Sequence, residues 1–235
     1  MIQMRRVTVI PDFMQMRFRS PQAAAAAADW WLSGGISAAN AIAVYQPKGA
    51  DDLADSYINL ANPGTYNAAP GVAPTWASGT GWTFNGTTQY LTTGLLPNCG
   101  VWSMLIRYAD LSGVNKTILG SYDSAPPTTM LFQTQGGIMR TFASDSTGFY
   151  ADNVPQLLTG VYGVSAKTPY RDGSAESNIV SGGTTVSVEA LYIGALNLNG
   201  SPAQYAPVKI QAFAIYDATL TAPQVAAVST AMSLL

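Results

Sequence analysis

The sequence predicts an all-β sandwich with helical appendages toward its two ends. Three observations carry that expectation. Short segments of alternating hydrophobicity recur along the body, separated by clusters of Gly, Pro, Asn and Ser. Tyr170-Arg171-Asp172-Gly173 has the Asp-Gly chemistry of a tight hairpin. After an alternating strand over 208–216, the spacing becomes helical behind a capping box. At 235 residues and 48% hydrophobic content, the chain can fill one sandwich of ~200–250 residues with a sizeable core.

Taken in order, residues 1–20 read as extended. Met14, Met16 and Phe18 share one face, and Gln15, Arg17 and Arg19 the other, the period-two pattern of a half-buried strand. Arg5, Arg6, Arg17 and Arg19 are opposed there only by Asp12, although the whole chain carries −2. A basic arm on an acidic body is either a docking tether or an exposed strand kept soluble by arginine. Four arginines without lysine runs make too thin a patch for nucleic acid. Ser20-Pro21 then opens a helix, with Ser as N-cap and Pro at the first helical position. Ala23 to Ala28 favour it, Gly34-Gly35 end it, and Trp30, Trp31 and Leu32 anchor it, since a dozen residues are marginal alone.

The body begins at Ala41-Ile42-Ala43-Val44-Tyr45, which divides the chain into an anchoring arm and helix (1–40) and a sandwich (41–235). Asp51 to Gly71 is a long polar connection. Trp82 and Phe84 alternate onto one face, Asn85-Gly86 turns the chain, and Tyr90 returns on what reads as the partner strand of a hairpin. Further strands are expected over 101–108, 116–122, 129–134, 137–143, 147–151 and 157–164. In the first, Trp102, Met104, Ile106 and Tyr108 share the core parity, and Arg107 faces solvent or a partner. In Thr221-Ala222-Pro223-Gln224 the cap and the Gln side chain satisfy each other's backbone N–H groups. Val225, Val228 and Met232 then form a stripe that should lie on the sandwich.

Two of these segments carry a resemblance. Phe84-Asn85-Gly86-Thr87-Thr88-Gln89-Tyr90 resembles the Phe-Asp-Gly hairpin near the start of laminin-G-like domains, with Asn85 in place of Asp. Ile215-Tyr216-Asp217, Leu220 and Thr221 resemble the family's closing strand and helix, with Gln224 in place of its Glu. The order hairpin turn, apolar strand ending in Gly194, alternating strand and capped helix is similar to the laminin-G-like branch of the concanavalin A-like lectin/glucanase superfamily, of the kind found in phage virion proteins. The resemblance covers 41–235. It implies a jelly-roll β-sandwich that serves mostly as a recognition scaffold, in some members with Ca²⁺ on loop Asp, Asn and carbonyl oxygens.

The reactive inventory is thin. The chain has no histidine, which removes imidazole-based nucleophilic catalysis and imidazole metal sites. Its glutamates are Glu176 and Glu189 alone, and neither has an acid at the spacing that paired-carboxylate glycoside hydrolysis requires. An enzyme is therefore not expected, and Glu189 reads as a single outward carboxylate. Asp51, Asp52, Asp55, Asp123, Asp145, Asp152 and Asp172 are placed to serve Ca²⁺ on loops, but none shows a recognised ligand spacing, so solvated turn carboxylates are the simpler reading. Cys99, the sole cysteine, allows no intramolecular disulfide.

Carbohydrate binding calls for aromatic faces and amides together on loops. Tyr122 and Asp123, then Tyr150, Asp152 and Asn153, then Asn197, Asn199 and Tyr205 meet that condition. Only 10% of residues are charged, against ~25% in average soluble proteins. A surface of hydroxyls and amides suits sugars or fellow subunits. Val7-Thr8-Val9-Ile10 is broken by Pro11 and Asp12, short of the ~7–15 apolar residues of a secretory signal. No stretch approaches the ~18 apolar residues of a membrane span. The expectation is a non-enzymatic phage virion protein, made in a host cytoplasm. It would dock to capsid, tail or a second copy through Arg5, Arg6, Met14, Met16, Arg17, Phe18 and Arg19, and display a lectin-like sandwich for adhesion. The alternatives are a free carbohydrate-binding module and, behind it, a glycoside hydrolase.

Overall fold

The computed structural model describes residues 29–98, 100–124, 127–145, 148–151, 154–165, 167–176 and 186–235. The expected arm, the alanine-rich helix, Cys99, Asp152 and Asn153 lie outside them. In chain order the elements are β1 (Ala41–Tyr45), α1 (Leu53–Ser56), β2 (Ala69–Val72), β3 (Thr75–Ala77), β4 (Gly81–Asn85), β5 (Tyr90–Thr92), β6 (Ser103–Ala109), β7 (Lys116–Ser124) and β8 (Pro127–Gln135). They continue as β9 (Ile138–Asp145), β10 (Gly148–Ala151), β11 (Val154–Pro155), β12 (Gly160–Ser165), β13 (Thr168–Arg171) and β14 (Ser174–Ala175). Last come β15 (Tyr192–Ile193), β16 (Leu196–Leu198), β17 (Ser201–Ala203), β18 (Pro207–Tyr216) and α2 (Ala222–Ser233).

Two sheets stack face to face. The front sheet runs β14-β13-β12-β6-β18-β4-β3, with β1 also on β18. The back sheet runs β10-β9-β8-β7-β15-β5-β2, with β11 on β9, β16 on β7 and β17 on β16. Of the strand pairings, β16 with β7 is parallel and the others are antiparallel. Among the described residues no helix is long and apolar enough to cross a membrane.

The core has two layers because the front sheet is covered on both faces. Tyr45, Trp82, Phe84, Met104, Ile106 and Tyr108 meet Leu119, Met130, Phe132 and Ile193 between the sheets. On the outer face of the front sheet, Val44, Leu105, Val161, Ala212 and Ala214 pack against Val225, Val228 and Met232 of α2. Each such burial is worth about 1.5–3 kcal/mol for a large aliphatic side chain. The Gln224 carbonyl accepts the Thr221 backbone N–H at 2.9 Å, as the capping box requires. β18 serves both layers through a bulge between Ile210 and Ala212. Ile210 faces the inter-sheet core before it, and Phe213 and Ile215 after it, so Ala212 and Ala214 turn toward α2.

Three expectations change. The 84–90 segment is not a hairpin, because β4 lies in the front sheet and β5 in the back one. The Asn85 carboxamide oxygen accepts the backbone N–H of Thr87 at 2.9 Å and of Thr88 at 3.0 Å, and so bends the chain from one sheet to the other. Arg107 is half-buried, not open to solvent. The outer face it occupies lies under α2, where its Nη1 donates to the Met232 carbonyl, and burial lowers its pKa. Trp30–Leu32 form one 3₁₀ turn behind a non-helical Asp29 (φ −60°, ψ 71°), not the end of an α-helix. Trp30 and Trp31 are core residues as expected, buried against α2, while the helix they were to anchor lies outside the described residues. The Trp30 indole donates to Gln46 Oε1 at 2.8 Å, and the Tyr216 hydroxyl to the Trp31 carbonyl at 2.8 Å.

The 170–173 turn forms as expected. Asp172 (φ 49°) and Gly173 (φ 83°) both take the left-handed conformation that a two-residue hairpin demands. The polar 51–71 connection is more ordered than a loop. Asp52 caps α1 by accepting the Asp55 N–H at 2.8 Å, and Ser56 accepts the Trp82 indole N–H at 2.7 Å. Asn59, fully buried, accepts from the Val44 backbone at 2.9 Å and donates to the Ile42 carbonyl at 2.9 Å.

Candidate functional site

The front sheet is roofed by α2, and among the described residues no helix packs on the outer face of the back sheet. Cross-strand register brings four strands together there. Tyr122 of β7 lies opposite Thr129 of β8, Gln133 of β8 opposite Arg140 of β9, and Leu198 of β16 beside Tyr122. Thr129, Leu131 and Gln133 share one parity, opposite to the buried Met130 and Phe132. The result is a groove of ≈260 Å³ lined by Tyr122, Leu131, Gln133, Arg140, Leu198 and Gln204, with Thr129 and Leu196 completing it.

Gly120 of β7 lies beside Leu196 of that lining. A Cβ there would lie 2.6 Å from Thr117 Cγ2 and 2.8 Å from Leu196 Cδ1. Gln204 stands at one wall with φ 50°, a conformation costly for a residue bearing a side chain. Its side-chain Oε1 accepts from Thr117 Oγ1 at 2.8 Å and from Gln133 Nε2 at 2.5 Å, which fixes both amides across the groove. Arg140 adds the guanidinium, whose Nε is buried with no hydrogen-bond partner among the described residues. A phenol, two crossed amides and a cation over a leucine wall can stack on a ring and bond its substituents.

Along the same sheet Tyr90 packs against Tyr192 at 4.9 Å between ring centroids and against Tyr205 at 6.3 Å. Burial first, then the neighbouring Tyr90 and Glu189, raise the Tyr192 pKa.

The sugar-binding candidates are distributed differently from expectation. Tyr122 and Asp123 sit within β7, not on a loop. A register shift between Thr117 and Leu119 breaks the strand's parity, so its end looked irregular in sequence. Tyr122 lines the groove, but Asp123 is 8% exposed and faces inward, opposite Thr128. Asn197 is 2% exposed. It points into the sandwich and donates to Glu189 Oε2 at 3.1 Å and to the Ala190 carbonyl at 2.9 Å, so it cannot serve a ligand in the groove. The same bond shows that Glu189 is tied to Asn197, where a free outward carboxylate was expected. Asn199 is on the expected turn (φ 49°) and is spent on structure, accepting the Ser124 N–H at 2.9 Å. Tyr205 belongs to the tyrosine cluster beyond the groove. Tyr150 lies on β10, which pairs with β9 at the far edge of the sheet.

Gln133, Arg140 and Gln204 were missed by sequence reasoning. Their signal was weak: Leu131 and Gln133 share a parity that the core does not use. For Ca²⁺, no three acidic or sulfur ligands gather among the described residues. Asp52 is a helix cap, and Asp172 accepts the Val161 N–H at 2.8 Å.

No family model matches the chain, and no curated protein sequence matches it. Solved structures do. The Trypanosoma rangeli sialidase in complex with sialic acid aligns over 83% of this chain and 33% of its own, with 12% identity and a TM-score of 0.56. A mutant of the same sialidase displaying trans-sialidase activity aligns over 84% and 33%, with 13% identity and a TM-score of 0.52. HCR/D, in a tryptophan-to-alanine mutant form, aligns over 82% and 51%, with 11% identity and a TM-score of 0.57. This chain thus spans between a third and about a half of these three proteins, and at such identities the likeness shows the fold alone. That fold is a concanavalin A-like jelly-roll β-sandwich of two sheets.

Proposed function

We propose that this chain is a non-enzymatic recognition protein of a phage virion. Its lectin-like sandwich binds glycans on the open face of the back sheet, and its basic N-terminal arm docks to other virion subunits or to a second copy. The observation that carries the glycan reading is the groove itself. Tyr122 supplies a ring face, and Gln133 and Gln204 are locked in place by their mutual hydrogen bond at 2.5 Å. Preorganised amides lower the cost of ordering on binding.

Hydrolysis is not part of this proposal, because the two glutamates are engaged separately. Glu176 pairs with Arg171 at 2.9 Å, and Glu189 holds Asn197. The virion assignment rests on composition: a surface poor in charge, a single cysteine, and four arginines in the first twenty residues. Copies held in one particle would convert weak sugar contacts into avidity.

A glycan array on the full chain tests the first part, and failure of the folded protein to retain any saccharide refutes it. Light scattering on the full chain and on the Arg5, Arg6, Arg17 and Arg19 to Gln variant tests the second. The arm reading expects an oligomer that dissociates in the variant. A monomer in both samples, with saccharide binding intact, makes the chain a free lectin instead.

A further inference from the structure

Resting on the glycan reading, we infer that the back-sheet groove selects an acidic sugar, with Arg140 holding its carboxylate or sulfate. Arg140 is the sole charged residue of the groove lining. Among the described residues it enters no ion pair and its guanidinium makes no hydrogen bond, with the buried Nε lacking an acceptor and the Nη groups left to face the groove. Buried donors without partners are rare, and a guanidinium left so beside a cavity has its strongest interactions unmade. An oxyanion matches its fork geometry and supplies the missing charge.

The two amides set the rest of the recognition. Gln133 lies directly across the ladder from Arg140 and spends its Nε2 on Gln204. Its carbonyl, and the Gln204 NH₂, make no hydrogen bond among the described residues. One acceptor, the Gln204 NH₂ and the second N–H of Gln133 therefore remain beside the cation, suited to ring hydroxyls. The left-handed backbone of Gln204 is what sets its amide across the groove, and such outliers persist where the surroundings impose them. Tyr122 and the leucines offer the apolar face. At ≈260 Å³ the groove is below the ~300–1,000 Å³ of pockets for drug-sized ligands, so it holds one ring and leaves the remainder of a chain outside.

The experiment uses the full chain on an array carrying uronate-bearing, sulfated and neutral glycans. Titrations with polygalacturonate and with its carboxyl-reduced form follow. Expected is retention of acidic glycans, loss of binding on carboxyl reduction, and weakening as salt is raised through the range where the screening length falls below ~10 Å. R140Q should bind at least about ten-fold more weakly at an unchanged thermal midpoint, and R140K should recover part of that loss because it keeps the charge without the fork. If R140Q does not fold, R140K and the carboxyl-reduced polymer decide. Sulfated glycans alone binding, with the same Arg140 dependence, identifies sulfate as the anion and supports the inference. Equal binding of acidic and neutral forms, or an Arg140 variant that binds like the parent, overturns it and leaves glycan recognition standing. No binding of any saccharide overturns both.

Discussion

Asn59 is expected to be the most sensitive polar residue in the chain. It makes four hydrogen bonds from a fully buried position. Its carbonyl accepts from Val44 N at 2.9 Å and Ala61 N at 3.1 Å, and its NH₂ donates to the carbonyls of Ile42 at 2.9 Å and Thr65 at 2.8 Å. Alanine would leave all four backbone groups without their partner. Thr65 is exposed and Ala61 half-buried, so water can restore those two at a loss of about 0.5 kcal/mol each. Val44 and Ile42 belong to β1 and lose about 1–2 kcal/mol each, because buried backbone groups without partners cost more than the bond was worth. Asn59→Ala should therefore cost about 3–5 kcal/mol. In urea the midpoint should fall with the slope unchanged, and the thermal midpoint should drop by about 6–20 °C. Asn59→Asp keeps the two acceptor bonds but sets a carboxylate against two carbonyl oxygens, so it should be no milder. A loss below about 1 kcal/mol at constant slope would refute this reasoning, by showing that the β1 groups find water.

Gly81→Ala should cost more than about 2 kcal/mol. Its φ is +79° and a Cβ would lie 2.3 Å from the Ile210 carbonyl oxygen. Gly79→Ala, whose Cβ meets nothing within 4 Å, should stay within about 0.5 kcal/mol; similar thermal midpoints for the two would contradict this. Arg107→Ala should loosen α2 by about 1 kcal/mol, read as faster hydrogen exchange over 228–233, and unchanged exchange there would deny the contact. Burial raises the pKa values of Tyr45, Tyr108 and Tyr216 above the unfolded value near ~10. The folded state therefore holds these protons more tightly, and the stability they contribute is complete below about pH 10 and declines as pH rises beyond it. Phenolate absorbance from these three should emerge together with unfolding. Smooth titration of every tyrosine near pH 10 with the sheets intact would show the burial to be wrong.

The strands were legible because alternation records parity, and parity decides which side chains reach a core. Met104, Ile106 and Tyr108 were placed correctly on that ground, and so was the helical stripe Val225, Val228 and Met232. Parity does not record what covers a face. Arg107 looked exposed because nothing in β6 announces that α2 lies over it. The Asn85-Gly86 turn was legible as a bend, but a bend within a sheet and a bend between sheets use the same Asx chemistry. The groove was hidden for a related reason. Gln133 and Arg140 meet through register and Gln204 reaches them from the bend after β17, and each alone is an ordinary polar residue in the sequence. Asn197 misled in the opposite direction: a polar residue flanked by leucines looks like a loop tip, yet it satisfies Glu189 and the Ala190 carbonyl from inside.

β18 pairs with β6 along one side and with β1 and β4 along the other. The last strand in the chain is thus the spine on which the front sheet closes. During synthesis β3–β4 and β6–β12–β13–β14 can pair early, but the edges of β1, β4 and β6 that take β18 stay unpaired until it emerges, so the two halves of the sheet cannot join before then. Closure of that sheet is a late event of high contact order and correspondingly slow kinetics. A nascent chain stalled before residue 207 presents hydrogen-bonding edges that invite pairing with neighbouring copies.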